Sequence, residues 1–193
     1  MIQLSILRLP HSILKWGLVG EYLKLRKRVF IDEMGWGLQT DLNELENEEY
    51  DASNYPHYVI AQRDNRVVAG ARLLRCDTEF GRAGEEQRTY MIRDATLGRI
   101  NLPTNLTTDP PPTDPSSWEL TRLVSVDKNP ATSQAIMRAS YDYMQKQGAK
   151  QVLLLARPAI MRFVRQSGYD PKPIGPIVKN ESGSFLAFKC IIK

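Results

Sequence analysis

The sequence predicts an α/β fold, a sandwich built around one largely central sheet. Three observations carry that expectation. Short apolar runs of strand length alternate with stretches of helical period, glycine and proline punctuate the joins, and no internal repeat is present. The first helix is expected over 11–30, where Leu14, Leu18, Tyr22, Leu25 and Val29 recur at three- and four-residue steps and Gly35 and Gly37 follow as stops. Strands are expected at 58–62 and 67–74, joined by a turn at Asp64-Asn65-Arg66. A short helix fits 90–97, and the Pro/Thr/Asp/Ser-rich stretch 104–117 reads as a loop. A strand at 118–126 follows, then a helix at 131–147 with Ile136, Ala139, Tyr143 and Met144 inward and Gly148 as its stop. The apolar run 151–155 is a buried strand, 158–167 a helix opened by Pro158, and 185–192 the last strand.

With 193 residues, of which 42% are hydrophobic and 25% charged, the expectation is a single domain over 1–193. No apolar run reaches membrane-spanning length and the first nine residues lack a secretory pattern. Cys76 and Cys190 stand far apart, which offers neither a disulfide framework nor a metal cluster, so a cytoplasmic setting is expected. Charge is unevenly spread. Residues 41–51 hold six acids and no base, which leaves 26 basic against 16 acidic residues elsewhere. A solvated loop and a built anionic site both remain open on that count.

Several chemistries lose support. His11 and His57 are the only histidines, and neither sits in a Ser-His-Asp, Cys-His or zinc pattern. The Gly-x-Gly at 35–37 is too short for a phosphate cradle and follows a helix. A nucleic-acid partner rests on a pI near 9.1 alone, so none is expected. Charged residues inside apolar strands are the sharper signal: Arg72 in 67–74, and Glu119 and Arg122 in 118–126. Buried ions are costly unless paired, which leaves two readings, an ion network that pins the fold and a polar site at a sheet edge.

Five motifs in order then define a resemblance. They are Leu25-Arg26-Lys27-Arg28-Val29-Phe30, Gly35-Trp36, Glu46-Asn47-Glu48-Glu49-Tyr50-Asp51, Gly70-Ala71-Arg72-Leu73-Leu74 and Trp118-Glu119-Leu120-Thr121-Arg122. In order and spacing they resemble the LuxI-type acyl-homoserine lactone synthase (autoinducer synthase) family, and the tail from Gly148 through Gly175-Pro176 matches as well. The resemblance implies a three-layer αβα sandwich with a mixed central sheet, similar to the GCN5-related N-acetyltransferases. It implies an acyltransferase that moves an acyl group from a thioester of acyl carrier protein or coenzyme A to S-adenosylmethionine. The product is an N-acyl-homoserine lactone, a quorum-sensing signal, with methylthioadenosine released. S-adenosylmethionine is then a substrate, and no cofactor or metal is implied.

The residues suit that chemistry. A sulfonium and an ammonium call for carboxylates, which Glu46 and Asp51 supply, and for aromatic faces, which Phe30 and Trp36 supply. Arg26, Arg72 and Arg122 are expected to grip the acceptor's carboxylate or hold the acids. Glu119 is the expected base for the ammonium, with Asp51 and Arg122 beside it as catalytic groups, and backbone N–H groups around 121–124 are the expected oxyanion donors. The resemblance places the donor's pantetheine arm beside the strand at 151–155. Lys150, Arg162 and Arg165 form an expected basic rim for an acidic carrier protein, with coenzyme A as the alternative donor. Glu48 stands where the family carries Asp and is left out of the expected site; Thr96 replaces a usual Phe, 77–88 is longer than usual, and Leu153, Leu154 and Leu155 include no Thr. Two rivals remain: a coenzyme A-dependent N-acetyltransferase, whose pyrophosphate loop 123–136 lacks, and a non-enzymatic binding module.

Overall fold

The computed structural model describes residues 1–51, 55–82, 84 and 86–193. Of the long connection at 77–88, residues 83 and 85 therefore lie outside the described residues. Seven strands form one mixed sheet, and the chain divides into two compact units, Met1–Leu73 with Thr121–Asp142, and Leu74–Leu120 with Tyr143–Lys193. In chain order the elements are β1 (Gln3–Leu7), α1 (Gly17–Arg26), β2 (His57–Arg63), β3 (Arg66–Arg75), α2 (Met91–Thr96), β4 (Ser117–Ser125), α3 (Pro130–Lys146), β5 (Gln151–Ala156), α4 (Ile160–Gln166), β6 (Lys172–Asn180) and β7 (Gly183–Ile191). The strand order is β1-β2-β3-β4-β5-β7-β6. Among the described residues no helix is long and apolar enough to cross a membrane.

In the first unit β1 runs antiparallel to β2, and β2 to β3. Asp64 and Asn65, with φ of 49° and 61°, close the β2–β3 hairpin as a two-residue loop; left-handed residues at both positions match the strand twist. The first five residues of β2 are all buried, so both of its faces are covered. The first helix departs from expectation. A short 3-10 turn occupies Ile13–Lys15, α1 starts only at Gly17, and Leu14 is 99% exposed. The inward stripe of α1 is Val19, Tyr22, Leu23 and Arg26, so a guanidinium stands at a core position. Of the expected apolar face, Tyr22 and Leu25 are buried and Leu18 and Val29 pack against the same core, while Leu14 alone lies outside it. Beyond Arg26 the helix widens into a π turn over Lys27–Glu33, which ends at Gly35 with φ 67°.

In the second unit β4 pairs in parallel with β5 only from Ser117↔Gln151 to Glu119↔Leu153, while β5 stays paired to β7 as far as Ala156↔Leu186. Two strands escape the sequence reading. β1 is five residues long, and β6 carries Pro173 and Pro176, which argue against a central strand; it is the edge partner of β7, where a missing N–H is tolerated. Gly175 in β6 lies so close to the chain at 106–107 that a Cβ would meet the Leu106 carbonyl oxygen at 2.1 Å. That contact, with Thr108 N–H on Ile174 O at 2.9 Å, fixes the proline-rich loop.

Candidate active site

The six acids of 41–51 separate by role. Asp41 folds the loop, its Oδ1 accepting the N–H groups of Asn43 and Leu45 at 2.8 and 3.0 Å. Glu44 and Glu49 face solvent. Glu46, Glu48 and Asp51 turn inward and meet three guanidiniums: Arg26 from α1, Arg72 from β3 and Arg122 from β4.

Asp51 is the hub. Its two oxygens accept from Nη1 and Nη2 of Arg26 at 2.9 Å each and from the hydroxyl of Tyr58 at 2.9 Å, and Nη1 of Arg72 forms an ion pair with it at 2.9 Å. Burial alone would raise this carboxyl; Arg72 and Arg26, with hydrogen bonds from Arg26 and Tyr58, outweigh it and hold Asp51 well below the usual carboxylate range. Arg26 also donates through Nε to Glu46. Burial opposes the charge on Arg26 and Arg72, but their carboxylate partners, Asp51 first, raise both above the ordinary guanidinium value. Arg72 further reaches Glu48 at 2.5 Å and Thr121 Oγ1 at 3.2 Å, and lies 5.3 Å over the Tyr50 ring.

The cluster has a buried end and an accessible one. Side chains of Arg26, Arg72, Glu46 and Asp51 are 0–1% exposed, whereas Arg122 retains 8% and Glu48 24%. Arg122 Nη2 joins Glu48 Oε2 at 2.7 Å and Glu46 Oε1 at 3.2 Å. Burial would raise the Glu48 carboxyl, but Arg122, Arg72 and Arg26 together lower it. At this end Arg122 stands 5.8 Å from the Phe30 ring centroid, and Phe30 stacks on Trp36 at 5.0 Å with planes 6° apart. Three cations against three anions give a site without net charge, beside a flat aromatic pair. Such an arrangement can hold a zwitterion with an extra positive centre.

Arg26, Phe30, Trp36, Glu46, Asp51, Arg72 and Arg122 are thus brought together in the first unit, while Glu119, Lys150, Arg162 and Arg165 belong to the second. Glu119 is buried, and its carboxylate accepts the N–H groups of Met91 and Ile92 at 3.0 and 2.8 Å, the opening residues of α2. Asp94 adds a second local tie, taking the N–H and hydroxyl of Thr89 at 2.9 and 2.8 Å. Lys150, Arg162 and Arg165 are exposed, and among the described residues none forms an ion pair. Sequence reasoning missed Glu48, Tyr58, Tyr50 and Thr121. Glu48 and Tyr50 sit within three residues of Asp51, and Thr121 precedes Arg122; only Tyr58, inside an apolar run, had no signal.

An acetyltransferase (GNAT) domain model matches residues 25–104. Curated acyl-homoserine-lactone synthases align over most of the chain. That of Acinetobacter nosocomialis is 29% identical over 91% of this chain and 92% of its own, and one from Pseudomonas aeruginosa is 24% identical over 88% and 77%. Among solved structures, the coenzyme A-dependent acyl-homoserine lactone synthase BjaI, captured with S-adenosylmethionine and isopentyl-CoA, superposes with a TM-score of 0.82 at 19% identity, covering 100% of this chain and 84% of that one. LasI gives 0.73 at 21%, with 100% and 90% covered, and a putative N-acetyltransferase from Lactobacillus plantarum gives 0.61 at 10%, with 100% and 99%. The fold is that of the GNAT enzymes, and by sequence along nearly its whole length the chain is a relative of the acyl-homoserine-lactone synthases.

Proposed function

We propose that this chain is an acyl-homoserine-lactone synthase whose acceptor, S-adenosylmethionine, sits at the accessible end of the arginine–carboxylate cluster. The carrying observation is that charge-balanced cluster opening onto the Phe30–Trp36 stack. Glu48 faces the acceptor's positive centres, Arg122 its carboxylate, and the stacked rings its adenine or sulfonium. Arg26, Arg72, Glu46 and Asp51 act one step back. Asp51 is saturated by two guanidiniums and a phenol, so its catalytic contribution is to fix Arg26 and Arg72 rather than to take a proton.

In the first step the acceptor's amine, once deprotonated, forms a bond to the thioester carbonyl carbon. The C–S bond breaks, and the thiol leaves with the proton. Glu119 is the base in this reading; its two bonds to α2 lock its orientation, as proton transfer at a defined position requires. Backbone N–H groups near Arg122, where φ of 54° interrupts the regular strand, stabilise the oxyanion. In the second step the acceptor's carboxylate oxygen bonds to the γ-carbon. The γ-carbon–sulfonium bond breaks, methylthioadenosine leaves uncharged, and the lactone closes.

The donor in this reading is an acidic acyl carrier protein that meets Lys150, Arg162 and Arg165, with coenzyme A thioesters as the alternative. At the start of α3, Asp127 accepts from Thr132 and Arg63 at 2.6 Å each, and its carboxyl is lowered to about 2, chiefly by Thr132 and the Asn129 N–H. A carboxylate already seated there disfavours a nucleotide pyrophosphate. Both units serve one catalytic domain, and two buried free cysteines suit a reducing cytoplasm. The test is turnover of S-adenosylmethionine with matched acyl thioesters, following thiol, methylthioadenosine and lactone by mass spectrometry. Equimolar release of all three is expected. Acylation of other amines without methylthioadenosine would mean an N-acetyltransferase, and no turnover of any donor a binding module.

A further inference from the structure

In an extended strand, neighbouring side chains point to opposite faces. Thr121 and Arg122 break that rule, since both reach the same cluster: Thr121 Oγ1 accepts from Arg72 at 3.2 Å and Arg122 Nη2 meets Glu48 at 2.7 Å. The cause is the Arg122 backbone, whose φ of 54° is left-handed and sterically disfavoured for a residue with a Cβ. Such a conformation persists only where the surroundings hold it.

The holding contact comes from α1. The Tyr22 hydroxyl donates to the Arg122 carbonyl at 2.6 Å, across 100 residues of sequence. Tyr22 is fully buried, with Arg26 5.5 Å from its ring and Tyr58 edge-on at 6.0 Å. Its ring lies against β3 because position 70 is glycine; a Cβ there would stand 2.7 Å from two of its ring carbons. Burial raises the phenol well above its ordinary value, more than Arg26 and Arg72 lower it, so the hydroxyl stays a donor.

We propose that Tyr22 is a positioning residue for acceptor binding: through the Arg122 carbonyl it holds the left-handed break in β4, and so keeps the Arg122 guanidinium on Glu46 and Glu48. The inference rests on the reading of that cluster as the S-adenosylmethionine site. The experiment uses Tyr22→Phe, which keeps the ring over Gly70 and removes only the donor. Calorimetry gives the dissociation constant of S-adenosylmethionine, steady-state kinetics the KM of each substrate, and thermal melting the stability. With melting within a few degrees of wild type, the acceptor Kd and KM are expected to rise about 3–10-fold, the range one hydrogen bond spans, with donor KM unchanged within twofold. In an Arg122→Ala background the same change is expected to add less than twofold. Replacing Tyr22 by 4-aminophenylalanine, which retains a donor, is expected to restore wild-type affinity even if Tyr22→Phe fails to fold. Unchanged acceptor affinity in Tyr22→Phe overturns the inference. So do equal rises in both KM values, full additivity with Arg122→Ala, or lost affinity in the folded 4-amino variant. A wild-type protein that binds no S-adenosylmethionine overturns the reading of the site and the inference with it, whereas binding by wild type and Tyr22→Phe alike overturns the inference alone.

Discussion

Among the six charged side chains of the cluster, position decides what a substitution does. Removing Arg26 leaves buried Glu46 with Arg122 alone at 3.2 Å and takes from buried Asp51 its bidentate partner, so Arg26→Ala is expected to cost about 3–5 kcal/mol of stability, read by chemical denaturation. Arg122 keeps some contact with water, so Arg122→Ala should fold and instead raise the acceptor KM; comparable stability losses in both variants would remove the distinction between an inner and an outer end. Glu119 separates two roles in the same way. Glutamine preserves its shape but offers one acceptor oxygen to two N–H groups of α2, a loss of about 1 kcal/mol. If Glu119 is also the base, Glu119→Gln lowers acyl transfer by roughly two to four orders of magnitude. Turnover within a few-fold of wild type, beside the small stability loss, would leave Glu119 a capping residue only. For Trp36, half-buried and stacked on Phe30, Trp36→Ala should raise the acceptor KM more than the donor KM; equal effects would mark it as packing alone.

At the level of elements, α1 and α4 show opposite degrees of legibility. Pro158 and Gly168 bracket α4 closely, and Arg162 and Arg165 lie on its exposed side as their three-residue spacing implies. Charge reversal there, Arg162→Glu with Arg165→Glu, is expected to cut turnover with an acyl carrier protein about tenfold at low salt and less as salt rises, since encounter is screened over about 8–10 Å. Unchanged carrier-protein turnover with collapsed coenzyme A turnover would assign the arginines to the nucleotide. In α1 the apolar period pointed to Leu14, Leu18, Tyr22, Leu25 and Val29; all but Leu14 join the core, but the buried side also includes Arg26, which that period does not register. Hydrophobic periodicity cannot register a charged residue at a core position, because the partners that make it tolerable, Glu46 and Asp51, lie 20 and 25 residues away.

For the whole molecule the cluster links folding to pH. Asp51 and Glu48 titrate lower in the folded chain than in the unfolded one, so the unfolded state binds protons first as the medium is acidified. Their stabilising contribution is therefore complete above the ordinary carboxylate range and is lost as pH falls below it. Melting temperature should be flat near pH 6–7 and drop below about pH 4, as a well-paired carboxyl gives up on the order of 2 kcal/mol of unfolding free energy. Glu48→Gln should make the acid limb shallower. An identical acid limb in Glu48→Gln would show that other groups govern acid unfolding.

By itself the sequence determined the α/β class, the β2–β3 hairpin, the last helix and the chemical types gathered at the site. These depend on local periodicity, on glycine, proline and left-handed turn residues, and on charges embedded in apolar strands. Only the tertiary structure decided which of six loop acids turn in to the arginines, that Glu48 is among them, and that Glu119 ties the start of α2. It also decided that Thr121 and Arg122 both meet the cluster, and that the Tyr22 hydroxyl, its ring packed over Gly70, reaches the Arg122 carbonyl. The physical reason is the same throughout: desolvation and pairing of charges are set by neighbours distant in sequence, and no local pattern encodes the partner.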